Sequence, residues 1–280
     1  MYYLQSVKIL VEAEERRRFI ALAEKLQKEG IRSDVADRQT EECLHTLWIT
    51  DSSARAAELL REGKAVLAYL REENRAEDFS GVKYACEEPE ELCAEYLEQV
   101  YRRYAGVPWD ILKTERCSLR ETTVEDVEAF YEIYREPSVT EYMEDLFEDP
   151  QKEKTYMEEY IQKIYGFYGF GVWTVLKKDT GEIIGRAGYS CREGFEDPEL
   201  GFVIGVPWQR QGYGEEVCRA ILKYGEEMLG FERIQALVKP GNEPSEKLLR
   251  KLGMRAEDTV FLQEKTYIRF LKDLHPDEKS

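Results

Sequence analysis

Short apolar runs alternate with amphipathic stretches through the first third of the chain, the pattern of strands joined by covering helices. Between residues 12 and 29, Phe19, Ile20, Ala23 and Leu26 recur at helical spacing, and Gly30 supplies a stop. The run LHTLWIT (44–50) suits a buried strand. It ends in Asp51-Ser52-Ser53, which can cap a helix through ARAAELLREG. AVLAYL (65–70), a polar loop, VKYAC (82–86) and a helix over 89–104 follow. The spacing predicts a small α/β domain with parallel strands over residues 1–110.

In AGVPWDILKTERCSLRE a Gly-Val-Pro turn breaks the preceding helix, and CSLRE begins a strand of a second domain, residues 111–280. TTVEDVEAFYEIYRE is an amphipathic helix that Thr122 or Thr123 can cap, and another helix lies near 152–165. Three strands follow: GVWTVLKK (171–178), EIIGRAGYSCRE (182–193) and ELGFVIGV (199–206), the first two joined by the turn DTGE. A helix over 214–229 places Val217, Ile221, Tyr224 and Met228 on one face and stops at Gly230. RIQALVK (233–239) is a strand, 243–252 a short helix capped near Asn242, and the tail HPDEKS is expected to fray. The fold class is α/β, grading to α+β in the second domain.

Composition acts mainly by exclusion. The 280 residues are 42% hydrophobic and carry a net charge of −17, which argues against nucleic acid or an anionic membrane as partner. Six scattered cysteines without a Cys-x-x-Cys pair point to reduced thiols in the cytoplasm. The start lacks a basic leader pattern and no run of 18 apolar residues occurs, so neither a signal peptide nor a membrane span is expected. With His45 and His275 the only histidines, a histidine-rich metal site and a Ser-His-Asp hydrolase are both disfavoured, and no metal is expected.

Against that acidity, WQRQGYGEE (208–216) stands out, because a strand there runs through two glycines into a helix. Unpaired N–H groups and the helix dipole favour an anion at such a point, and glycine lets the backbone approach it closely. No lysine follows as in a P-loop, and a third dinucleotide-type glycine is missing. Basic and acidic residues balance from 201 to 260, leaving Arg210, Arg219, Lys239 and Lys247 for a terminal phosphate, while Glu215 and Glu216 can point away. A ligand-free glycine turn is the alternative.

The order of motifs from 115 to 255 resembles the GCN5-related N-acetyltransferase (GNAT) superfamily, nearest its ribosomal-protein alanine acetyltransferase-like branch. Gln209, Gly212 and Gly214 match the acetyl-CoA motif Gln/Arg-x-x-Gly-x-Gly/Ala, and Asn242, Ser245 and Gly253 match the later Asn-x-x-Ser…Gly motif. The resemblance implies a mixed, splayed sheet flanked by helices, with the pantetheine of acetyl-CoA between the splayed strands. It implies that the backbone of Ile204, Gly205 and Val206 pairs with the pantetheine. Amides from Arg210 through Gln211, Gly212, Tyr213 and Gly214 to Glu215 would cradle the pyrophosphate, with Asn242 and Ser245 near the thioester and CoA as product.

Acetyl transfer needs a neutral amine and a sink for its proton. Many relatives place an acidic tyrosine seven residues after the motif asparagine. Here that position is Leu249. Ser245 could instead hydrogen-bond the sulfur, or serve only as a helix-start serine. Glu199 is the candidate base, or else a solvated edge charge; Asp197 and Tyr189 are further options. Thiol catalysis by Cys191 or Cys218 is disfavoured. For the acceptor, a small amine or a peptide N-terminus, two walls offer themselves: Glu141, Glu144, Asp145, Glu148 and Asp149, and the aromatics Tyr165, Phe167, Tyr168, Phe170 and Trp173. Solvated charges and core rings are the plainer readings. In the first domain Asp51 is either a helix cap or a phosphoacceptor or metal aspartate of a receiver-like fold; a scaffold, substrate-shaping or homodimer-forming role is preferred. The expected function is acetyl-CoA-dependent N-acetylation of a primary amine; the alternative is an acyl-CoA-binding or interaction module.

Overall fold

A computed structural model of the chain describes residues 3–35, 43–143 and 145–275, so Glu144 and the tail beyond His275 lie outside the described residues. The chain divides into two compact units, Met1–Trp109 and Asp110–Ser280. Among the described residues no helix is long and apolar enough to cross a membrane.

The first unit runs β1 (Ser6–Leu10), α1 (Ile20–Lys28), β2 (Arg32–Asp34), β3 (Thr46–Thr50), α2 (Ser53–Arg61), β4 (Ala65–Tyr69), β5 (Tyr84–Cys86) and α3 (Ala94–Ala105). Its five strands are all parallel, in the order β2-β1-β3-β4-β5. Parallel strands covered on both faces read as continuous apolar runs, and β3 and β4 are buried at every position. Phe19, Leu22 and Leu26 join Leu97 and Val100 on one core, while Ala56 and Leu59 pack with Trp48 and Val66 in another. Ser52, not Asp51, caps α2 by accepting the Arg55 N–H. Asp51 is buried instead. Its Oδ2 accepts the Glu12 N–H and pairs with Arg71, both at 3.1 Å.

The second unit contains β6 (Asp110–Lys113), β7 (Cys117–Arg120), α4 (Val127–Tyr134), α5 (Pro137–Thr140), α6 (Pro150–Tyr160), α7 (Gly166–Tyr168), β8 (Val172–Lys177), β9 (Ile183–Ser190), β10 (Glu199–Ile204), α8 (Tyr213–Glu227), β11 (Arg233–Val238), α9 (Glu243–Lys251), β12 (Arg255–Leu262) and β13 (Lys265–Asp273). Thr123 and Asp126 form a capping box ahead of α4. After α6 a π-helical turn, Ile161–Tyr165, buries the Tyr165 ring and lets its hydroxyl donate to Val172 O (2.6 Å) and accept from the Thr122 N–H (3.0 Å).

These eight strands form one mixed sheet, β12-β13-β11-β10-β9-β8-β7-β6. Every neighbouring pair is antiparallel except β10 and β11, which are parallel. The alternation of β8, β9 and β10 sorts their side chains between two layers. Trp173, Ala187, Tyr189 and Leu200 face α8 through Val217 and Ile221, whereas Val203 faces Phe130, Ile133 and Met157 of α4 and α6. Helix α8 lies close to the sheet at Gly225. A Cβ there would fall 2.4 Å from the Tyr189 hydroxyl, which donates to Ile221 O at 3.0 Å.

The feature that organises the site is where β10 and β11 part. Their register contains one pair, Glu199 with Gln235, backed by the Gln235 N–H donating to Pro198 O (2.9 Å). Beyond it the strands diverge, so the mixed sheet is splayed at its centre.

Candidate active site

In the antiparallel ladder with β9, Gly205 donates to Ile184 O (2.9 Å), and its carbonyl accepts the Trp208 N–H (2.9 Å). Alternation therefore gives Gly201, Val203 and Gly205 to β9 and turns the backbone groups of Leu200, Phe202 and Ile204 toward the splay. Among Ile204, Gly205 and Val206, the residues expected to pair with pantetheine, Ile204 turns its backbone toward the splay. Gly205 is occupied within the fold, and its Cβ position is filled by the Trp208 ring at 2.7 Å. Val206 enters a helical turn and accepts the Gln209 N–H. Phe202, which sequence reasoning did not single out, also turns its backbone toward the splay and lines the cavity.

At the mouth of α8, Gly212 is the N-cap, with φ +87°, and Arg210 also has a positive φ, +59°. This left-handed geometry turns the chain so that the first amides of α8, which have no partner within the helix, point outward. Gln209 fixes the turn by donating Nε2 to Ile204 O (2.8 Å), and Gln211 donates to Pro207 O (2.7 Å). Gly214 differs from Gly212: a Cβ on it would make ordinary contact with Leu248 at 3.4 Å and Ile204 at 3.7 Å.

The two glutamates of this turn are held by cations. Glu216 accepts from Thr114 Oγ1 (2.6 Å), the Arg116 N–H (2.8 Å) and Arg116 Nε (2.7 Å). Burial would raise its carboxyl, but those bonds outweigh burial and hold it below the usual carboxylate range. Lys251 and Arg219 bond Glu215 and lower its carboxyl likewise. Arg116, absent from the sequence reading, also donates to Gln211 O (3.0 Å) and lies 4.2 Å from the centre of the Tyr213 ring. No local motif marks it, because it comes from about 100 residues upstream. Of the four cations expected to serve a phosphate, three are engaged: Arg219 with Glu215, Lys247 with Glu243, and Lys239 with the carbonyls of Glu141 and Met143.

The splay opens onto a cavity of about 530 Å³ that Leu200, Phe202, Val238, Asn242, Ser245 and Leu249 line on the strand-parting side. Asn242, not Ser245, caps α9, its Oδ1 accepting the Ser245 N–H at 3.2 Å. That removes the helix-start role from the Ser245 hydroxyl. Leu249 is fully buried.

Another part of the cavity wall comes from α4, the segment after α5, and α6. Tyr134, Tyr142, Phe147 and Tyr156 supply its rings, and Asp145 and Glu153 its acids. Among the described residues of the expected acidic set, Asp145 alone lines the cavity. Asp149 caps α6. None of the five expected aromatics lines it: Tyr165, Phe170 and Trp173 are in the core, while Phe167 and Tyr168 are exposed. Glu199 reaches the cavity, as an ion pair with Arg192. Asp197 is clamped by Arg233 at 3.0 Å, and Tyr189 is buried under α8, so neither faces the cavity. Burial pushes the thiols of Cys191 and Cys218 up, away from the nucleophilic thiolate. Among the described residues no group of His, Cys, Asp and Glu could hold a metal ion.

This geometry has counterparts among known proteins. The Acetyltransferase (GNAT) domain family matches residues 116–255. YoaA of Bacillus subtilis, an uncharacterized N-acetyltransferase, is 32% identical over 157 residues, spanning 54% of this chain and 85% of its own length. The [ribosomal protein uS5]-alanine N-acetyltransferase of Escherichia coli is 34% identical over 103 residues, which cover 36% of this chain and 51% of that protein. In fold, the crystal structure of the ribosomal-protein-S5-alanine acetyltransferase from Vibrio fischeri covers 60% of this chain and 96% of its own, with TM-score 0.50 at 19% identity.

Proposed function

Since the chain belongs to the GNAT acetyltransferase family through residues 116–255, we propose that it transfers the acetyl group of acetyl-CoA to a primary amine by direct attack. The observation that carries this reading is the single-pair contact of β10 with β11, which opens the sheet onto a cavity holding Ser245 and Glu199. When bound, acetyl-CoA supplies the activated acyl carbon.

The chain's own groups would do the rest. The outward amides from Arg210 to Glu215 at the start of α8 fit a pyrophosphate, because the positive φ values aim them and Arg116 and Lys251 offset the adjacent glutamates. The Phe202 backbone and the Ile204 N–H fit an amide-bearing arm laid along the splay. Glu199 takes the amine's proton, and the Ser245 hydroxyl hydrogen-bonds the departing sulfur while Asn242 fixes the start of α9. The amine nitrogen bonds to the acyl carbon, the carbon–sulfur bond breaks, and the thiolate ends protonated. The uS5-alanine activity named for the Escherichia coli relative supports a peptide N-terminus as acceptor, beside small amines. For the first unit we retain a scaffold, substrate-shaping or dimerising role, since Arg71 fills the end of β3 beside Asp51.

The test is CoA release against a panel of small amines and N-terminal peptides. We expect turnover on at least one acceptor, with Glu199→Gln slowing it about 100- to 10,000-fold and Ser245→Ala slowing it less. Release no faster than thioester hydrolysis on every acceptor would return the protein to an acyl-CoA-binding module.

A further inference from the structure

Three arginines lie on or just beyond the sheet face that α4 and α6 cover. Arg120 on β7 is in register with Thr174 on β8, which is in register with Arg186 on β9. Arg192 follows β9. Two of the three hold carboxylates: Arg120 grips Asp126 at 2.6 Å with both terminal nitrogens, and Arg192 pairs with Glu199. Arg186 differs. Among the described residues no carboxylate forms an ion pair with it. Its guanidinium lies over the Phe130 ring at 4.5 Å, its Nε–H is buried without a hydrogen-bond partner, and the residue lines the cavity.

Arg186 is only half-buried, but its buried Nε–H lacks a partner, and leaving such a donor unmet is unfavourable. An anion entering from the cavity supplies that donor with a partner. A fork of N–H donors matches a carboxylate best. The neighbouring Tyr134 is held protonated by burial, which raises its phenol against the opposing charge of Arg186, so it adds an O–H donor at the same place. Space is present too. Gly201 stands between the Arg186–Val203 row and the Ser190–Glu199 row, and a Cβ there would meet nothing within 4 Å. Those two rows are four residues apart along β10, or about 13 Å of backbone. An acceptor stretched over Gly201 can therefore offer its amine at Glu199 and its far end at Arg186.

We infer that the acceptor is a primary amine that also carries a carboxylate, and that Arg186 reads that carboxylate. This rests on the acetyltransfer reading above. It distinguishes the expected substrate from a polyamine, whose second cation would face the guanidinium.

Matched acceptors test it: γ-aminobutyrate against γ-aminobutyramide for a free amino acid, and alanyl-glutamate against alanyl-glutamine, both as C-terminal amides, for an acidic peptide. Each is titrated by calorimetry into the full chain saturated with CoA, and each is assayed for CoA release. We expect the acid of at least one pair to exceed its neutral partner about tenfold or more, in affinity and in KM rather than kcat. Arg186→Gln should abolish the difference by weakening the acid alone, and Arg186→Lys, which keeps the charge but loses the fork, should leave part of it. If Arg186→Gln fails to fold, Arg186→Lys still reads the fork. Equal binding within both pairs, or an Arg186→Gln variant that weakens acid and amide alike, overturns the inference. Discrimination in binding without turnover would sink the acetyltransfer reading and leave the carboxylate site standing. Turnover without discrimination would do the reverse.

Discussion

Replacing Gly225 with alanine should destabilise this protein, against the usual sign for a helix interior. Glycine to alanine in an exposed helix gains about 1 kcal/mol. At Gly225 the new Cβ would sit 2.4 Å from the Tyr189 hydroxyl and 2.9 Å from its Cζ. Tyr189 cannot step aside: it is fully buried, with Phe231 edge-on at 5.1 Å and Trp173 at 6.3 Å. Overpacking of a close-packed core costs about 1–3 kcal/mol, and displacing the hydroxyl forfeits its bond to Ile221 O, worth about 1 kcal/mol. The net expectation is a loss of about 1–3 kcal/mol. Urea denaturation of the full chain, with coincident circular-dichroism and fluorescence transitions as the check on two-state behaviour, measures it. Tyr189→Phe removes the nearest clashing atom, so Gly225→Ala should cost less in that background, with a coupling of about 1 kcal/mol across the cycle. A Gly225→Ala protein as stable as the parent, or an equal cost in both backgrounds, would refute the close approach of α8 to the sheet.

Two further outcomes follow from the turn before α8 and from the buried carboxylates. Gly212→Asp places a negative side chain at the anion cradle in a left-handed conformation, and should weaken acetyl-CoA binding at least about tenfold by calorimetry while the fold persists; unchanged affinity would remove the pyrophosphate role from this turn. Burial would raise the Asp126 carboxyl, but Arg120, the Thr123 N–H and Thr174 outweigh it and hold the group below the usual carboxylate range, as is Glu216. A depressed folded pKa gives stability that is complete above the unfolded value and lost as pH falls through the folded one. The midpoint temperature should therefore fall between about pH 5 and about pH 2, and fall less in Asp126→Asn and Glu216→Gln, which begin lower near neutrality. A parallel pH dependence in all three proteins would count against these networks.

What could be read in the sequence was local. The strand–turn–helix around Gly212 and the Asn242 cap each lie within one short segment, and the structure places them beside the splay. The parallel sheet of the first unit showed in LHTLWIT and AVLAYL because both faces are covered. β1 did not, for Lys8 interrupts its apolar run; folded, that lysine is buried with its Nζ 4.6 Å from the Trp48 ring centre. The β12–β13 hairpin escaped notice because β12 is exposed at most positions and lacks an apolar alternation. The expected aromatic wall does not line the cavity, for a different reason. Rings at 165–173 look like a pocket lining, but the π-helical turn drives Tyr165 into the core and the strand period buries Trp173, whereas Tyr134, Tyr142, Asp145, Phe147, Glu153 and Tyr156, which do line the cavity, come from three separated segments. Arg116 and Arg186 are likewise defined by what lies across from them, which no local pattern encodes.

The one-pair contact between β10 and β11 also makes the second unit an unfinished sheet. Two facing strand edges lie in the middle of eight strands, with interior backbone groups that water must serve until something else does. A ligand laid there acts as a structural member as much as a substrate: it closes a gap in the ladder, and its binding energy becomes folding energy. At a hundredfold excess over its dissociation constant it would add about 2.7 kcal/mol of stability. Amide hydrogen exchange should slow first at Phe202 and Ile204 on one bank and along β11 on the other.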